Sequence, residues 1–233
     1  MTSYPISLVL MGGVIVAALS GSDWRIFMNT HSVILVLGGT VAVLGLATPW
    51  KVVGQLLTAL AGMARRERSE FLSETDLRKL DENKLARTSS TNPLVAYAQS
   101  LWEGGVDTEV FVVLLHQSRD KMNQESAQPV ATMRNLAKYP PAFGMIGTVV
   151  GLVSLFSNLS PDNHGSLGPS LALAMTATFY GLILSNAVLM PLADRLYVIH
   201  LRQTKINDQL FDILLLLHRG DSPQLMEDSA RAA

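Results

Sequence analysis

Apolar runs alternate with charged amphipathic stretches along this chain, and the block it is organised around lies between Pro140 and Pro191. That block reads PPAFGMIGTVVGLVSLF, then a polar break NLSPDNHGSLG, then PSLALAMTATFYGLILSNAVLMP; neither apolar half contains Lys, Arg, Asp, Glu or His. A helix needs about 20 residues to cross roughly 30 Å of hydrocarbon, so the pattern predicts two spanning helices joined as a hairpin. Two earlier runs extend the count. Residues 5–20, PISLVLMGGVIVAALS, are slightly short for a span, and His31 to Trp50, HSVILVLGGTVAVLGLATPW, carry Gly38 and Gly39 mid-run and Pro49 at the exit. No Lys or Arg precedes Arg25, so the first run lacks the basic start of a signal peptide and is read as a span. Between these runs Trp24 and Phe27 are expected at the membrane interface, with His31 at the loop edge.

From Lys51 to Lys138 the pattern changes to a 3.6-residue period with charged outer faces. Val52, Val53, Leu56, Leu57, Leu60 and Met63 continue a helix closed by Arg65, Arg66, Glu67 and Arg68. Pro93 suits a first helical position before Leu94, Tyr97, Ala98 and Leu101, and Asp107 or Thr108 can cap a longer helix through Val110, Leu114 and Leu115. After Pro191 a further amphipathic helix places Leu210, Ile213, Leu214 and Leu217 on one face and stops near Gly220. These faces are expected to dock as a helical bundle beneath the membrane, packed against other copies of the chain.

Composition sharpens this picture. Only 16% of the residues are charged against about 25% in soluble domains, which favours a membrane protein. Twelve of the eighteen Lys and Arg residues fall between Lys51 and Lys138, five follow Pro191, and one, Arg25, lies in the first loop. Short basic loops stay in the cytoplasm, so the middle segment and both termini are predicted inside. The expected fold is an all-α membrane protein with four spans. Residues 1–50 form spans 1 and 2, 51–138 a cytoplasmic helical domain, 139–193 spans 3 and 4, and 194–233 a cytoplasmic C-terminal helix and tail. The absence of cysteine excludes disulfides and thiolate metal sites, and no nucleotide, metal or nucleophile motif occurs; the chain offers no catalytic, metal or nucleic-acid site.

Small and hydroxylated residues give the hairpin its chemistry. Ala174, Thr178, Gly181 and Ser185 share one helical face, and Gly144, Gly147, Thr148 and Gly151 form a similar stripe in the preceding half. Two readings stand: seams where backbones approach closely, or a thin polar path between helices for water or an ion. The spans contain hydroxyls and no carboxylate. Proton relays in membranes generally use Asp or Glu, so a conducting version of this chain would take its titrating acid from a partner helix.

The segments PAFGMIGTVVGLVSLFSNL, ALAMTATFYGLILSN and MPLADRL closely resemble the MotA/PomA stator family, within the wider group that includes TolQ and ExbB. SVILVLGGTVAVL and ILLLLHRGDSP resemble its second span and tail, and two spans before the cytoplasmic segment follow MotA rather than TolQ or ExbB. The resemblance implies an ion-driven flagellar stator: a homopentameric ring in the bacterial inner membrane around a MotB/PomB-like single-span dimer anchored to peptidoglycan. The partner's membrane Asp would take the ion, with Thr148 and Thr178 facing it. Pro141 and Pro191 match the prolines linked to coupling. Sodium-type relatives tend to carry Thr-Thr where this chain has Ala177-Thr178, which favours protons over sodium. Arg78 and Lys79 are candidates for contact with the rotor protein FliG, or a solvated helix face. A TolQ/ExbB-like energy transducer and a non-conducting scaffold remain alternatives.

Overall fold

A computed structural model describes residues 29–66, 92–157 and 167–219, with residues 10, 12–14, 16–17 and 27. Most of the first apolar run, Trp24, Arg78 and Lys79 lie outside the described residues. Every regular element among the described residues is helical: α1 (Thr30–Val33), a π-helical turn π1 (Ile34–Gly38), α2 (Gly39–Ala47), α3 (Trp50–Arg66), α4 (Pro93–Glu103), α5 (Thr108–Leu136), α6 (Tyr139–Ser157), α7 (Leu167–Ile183), a second π segment π2 (Leu184–Leu189) and α8 (Met190–Arg219). Among the described residues three helical stretches are long and apolar enough to cross a membrane: Thr30–Ala47, and one each within Thr108–Ser157 and Gly168–His218.

Local chemistry sets the helix ends. The Asn29 side chain accepts the N–H groups of His31 and Ser32 and so caps α1. The span that follows ends earlier than its apolar run. Thr48, the residue before Pro49, is extended at φ −128° and ψ 127°, because a proline ring clashes with a helical predecessor; Trp50 therefore opens a new helix instead of closing the span. Asn92 Oδ1 accepts the Leu94 N–H at 2.9 Å with Pro93 in the first turn, as expected of that sequence. Ahead of α5 the Asp107 carbonyl accepts the Phe111 N–H at 2.8 Å, and Gly105, at φ 62°, makes the left-handed turn before it.

The chain divides into two compact units, residues 1–54 with 131–194 and residues 55–130 with 195–233. In the first, α6 lies along α7 through its glycines. A methyl group on Gly151 would stand 2.7 Å from Ala174 Cβ and 2.8 Å from the Ser170 carbonyl, and one on Gly181 would stand 2.5 Å from the Pro140 carbonyl. One on Gly147 would overlap the Ala177 methyl outright. A methyl group on Gly39 of α2 would stand 2.5 Å from the Phe143 ring, so the earlier span packs onto the same pair. Such approaches matter in lipid, where helices gain nothing hydrophobic by associating and must rely on close packing.

The second unit has a water-type core instead. Leu94, Val95 and Ala98 of α4, Phe111 and Leu115 of α5, and Leu210, Phe211, Ile213 and Leu214 of α8 form one buried cluster, with Leu101 and Leu217 packed at its edge. Polar rungs line its flank: Ser126 Oγ lies 2.7 Å from His200 Nδ1, Asn207 Nδ2 donates to Asn123 Oδ1 at 2.8 Å, and Arg119 lies 3.5 Å from Asp208 with its guanidinium over the Phe211 ring.

Two substitutions test these packings. Gly147→Ala overfills the seam and should cost about 1–3 kcal/mol, lowering the melting temperature of the detergent-solubilised chain, whereas adding Ala177→Gly removes the opposing methyl and should restore most of it. Leu214→Ala leaves a hole in the second core and should cost about 2–5 kcal/mol, read in the same melt.

Candidate functional site

The face of α7 that does not enter the seam forms the floor of an open groove of about 770 Å³, with Leu171, Met175, Phe179 and Leu182 along it. Thr148 and Leu152 of α6 border it, as do Phe27, Thr176 and Thr178. Apolar carbon makes almost all of this surface, so the three threonine hydroxyls are its chemistry. Where water is scarce a hydroxyl must find a partner nearby. Thr148 Oγ1 donates to the Met145 carbonyl at 2.6 Å, a firm bond within its own turn. Thr178 Oγ1 has only long options, the Gly144 carbonyl across the seam and the Ala174 carbonyl of its own helix, each at 3.4 Å. Bonds of that length are weak, so the Thr178 hydroxyl is the least committed of the three.

The structure thus brings Thr148 and Thr178 together in one groove and divides the remaining sequence candidates. Ala174 borders the groove while packing on Gly151. Ala177 is wholly buried, its methyl directed at Gly147 within the seam. Ser185 is also buried; the π2 segment carries it to the end of α5, where its Oγ donates to the Ala137 carbonyl at 2.5 Å. Gly144, Gly147, Gly151 and Gly181 all lie at close helix contacts. Pro141 stands in the first turn of α6, its Cα 3.2 Å from where a Gly181 methyl would be, and Pro191 stands in the first turn of α8. A proline offers no N–H and crowds the carbonyl four residues earlier, and the wide π2 turn immediately before Pro191 gives that carbonyl room.

Sequence reasoning passed over Ser32 and Thr176, and named Phe27 only as an interfacial aromatic. Phe27, expected at the membrane interface, packs its ring on Phe179 with centroids 5.4 Å apart, and Thr176 and Ser32 are both buried, their hydroxyl oxygens 2.7 Å apart. Helical periodicity placed the 174–178–181–185 face and not its flank. A threonine that can bond its own turn carries no signal that it also bonds a neighbour. No Asp, Glu, Lys or Arg occurs in α1, α2, α6 or α7, so the groove contains no titratable carboxylate of its own.

The fold has counterparts among known proteins. The chain is 29% identical over 232 residues to the chemotaxis protein PomA of Vibrio alginolyticus, covering 94% of this chain and 90% of that one. Its fold matches the flagellar MotAB stator complex of Bacillus subtilis at a TM-score of 0.75, with 17% identity over 96% of this chain and 92% of the other. It matches C. jejuni MotAB at a TM-score of 0.79, with 18% identity over 98% and 94%. The sequence model of the MotA/TolQ/ExbB proton channel family covers residues 81–208, a stretch that takes in α6, α7 and every groove-lining residue named above except Phe27. Matched to that model over more than half its length, the chain belongs to the MotA/TolQ/ExbB proton channel family.

Proposed function

We propose that this chain is the ring-forming, ion-conducting stator subunit of a bacterial flagellar motor, in which inward proton flow turns the ring and drives the rotor. What supports this most is the full-length similarity to PomA together with a groove that presents threonine hydroxyls and no acid. In this reading the chain is a multi-pass inner-membrane protein of four spans, residues 5–20 supplying the first, with both termini and residues 51–138 in the cytoplasm. Five copies surround a MotB/PomB-like dimer whose single spans present the ion-binding Asp to Thr148 and Thr178. Arg78 and Lys79 of the cytoplasmic domain meet FliG.

The energetics favour such a division of labour. A charge fixed at the bilayer centre costs about 2.5–3.5 kcal/mol on insertion scales, whereas a threonine can satisfy itself on its own helix until it is needed. Each elementary charge crossing 100 mV releases about 2.3 kcal/mol, several times the strength of the two long bonds that hold Thr178, so redirecting its hydroxyl is a small part of each step. Pro141 and Pro191 mark where the spanning helices can bend as the ring turns. Thr148 and Thr178 bring few hard oxygen ligands for sodium to the groove, and a proton needs only a relay.

Two measurements test this. Thr178→Val keeps the side-chain shape and removes the oxygen; swimming speed and single-motor torque should fall several-fold while the ring still assembles, and normal torque in that variant would end the proposed role. In a deletion strain complemented with this chain, motor speed should collapse with a proton uncoupler and ignore external sodium; a speed that follows sodium instead reverses the ion assignment.

A further inference from the structure

Next to the groove, α1 is fastened to α7 by side-chain hydroxyls whose bonding has little slack. Ser32 and Thr176 are each almost fully buried, with Oγ and Oγ1 2.7 Å apart. Ser32 Oγ also reaches the Leu173 carbonyl at 3.2 Å and Thr176 Oγ1 the Ala172 carbonyl at 2.6 Å. Thr176 Oγ1 also has the Leu173 carbonyl at 3.4 Å. Two hydroxyl protons serve these four contacts; oxygens 2.7 Å apart need a proton between them, which leaves the other for a carbonyl. Either arrangement leaves both hydroxyls satisfied and the two helices joined. A second tie lies just before α1. The Phe27 carbonyl accepts from the Tyr180 hydroxyl and, at 3.0 Å, from the Asn29 N–H, while the Phe27 ring rests on Phe179 and borders the groove.

We propose that Ser32, Thr176 and Tyr180 are positioning residues for the ion path: their hydroxyls latch the start of α1 to α7 and so hold Phe27 as a wall of the groove in which Thr148 and Thr178 stand. In hydrocarbon no water replaces a lost partner, so the latch does not exchange its bonds with solvent as a surface pair would. The role is steric and geometric. With the latch closed, the apolar wall beside Thr178 stays in place along the groove; with it cut, the wall is held by ring contact alone. The proposal rests on the reading of this groove as the ion path, and its test separates the two.

The chain has no cysteine, so reporters can be placed at will. Phe27→Cys with Phe179→Cys in the full chain, expressed in membranes with its single-span partner, is treated with copper phenanthroline or a short bis-methanethiosulfonate. Cross-linking should be efficient in this parent and with Thr176→Ser, which keeps the hydroxyl. It should drop at least fivefold with Thr176→Val, with Tyr180→Phe and with Ser32→Ala, the last serving if Thr176→Val fails to accumulate. No cross-link in the parent, or equal cross-linking with and without the hydroxyls, overturns the latch. Without the cysteines and at equal membrane abundance, Thr176→Val should slow the motor at least twofold and Thr176→Ser should run normally; equal speeds overturn the positioning role. If Thr178→Val itself leaves ion flow intact, the ion-path reading fails, and the cross-linking result still decides the latch.

Discussion

Everything in the membrane-type unit depends on how closely α6 and α7 approach. Helix pairs in lipid gain little from burying apolar surface, so their contact must come from dispersion between surfaces that touch over their whole length. Here three glycines on α6 leave no side chain between that helix and the backbone of α7, and Ala174 and Ala177 fill the shallow space that remains. Close approach fixes register, because each methyl has a glycine opposite it. Register in turn fixes which face of α7 is left over, and that face is the floor of the hydroxyl-bearing groove. The packing and the candidate chemistry are thus two sides of one helix.

The second unit answers to a different force. Its cluster of Leu, Val and Phe from α4, α5 and α8 is the kind of core that forms by expelling water, and it is edged with His, Asn, Arg and Asp pairs that a lipid phase would penalise. One chain therefore contains two packing regimes, small residues at a dry seam and branched residues in a hydrophobic core.

Much of this was legible in the sequence because periodicity and composition report directly on environment. Uncharged runs marked the spanning helices, the G-x-x-x-G pair of Gly147 and Gly151 marked a seam, and Leu210, Ile213 and Leu214 marked a docking face. Thr148 and Thr178 were legible as a pair through the resemblance, and the structure brings both to one groove. What escaped depends on the third dimension. Ser185 lies buried like Ala174 and Gly181 of the same predicted face, but its bond to the Ala137 carbonyl beyond the end of α5 is a partner that no local pattern names. Thr48 breaks the second span ahead of Trp50 for a reason local to Pro49. Ser32 and Thr176 are separated by 144 positions and satisfied in part by their own surroundings, so nothing in either local pattern names the other.

The missing charge in the hairpin has an electrical meaning. With no Asp, Glu, His, Lys or Arg in α6 or α7, the membrane potential finds no formal charge in this pair of helices to pull on. On the proposed reading a ring built from such helices is an insulator made in advance, safe to hold in an energised membrane. It becomes a conductor only where a partner's carboxylate is brought against it, so the number of ions in transit is counted by the partner and not by the ring.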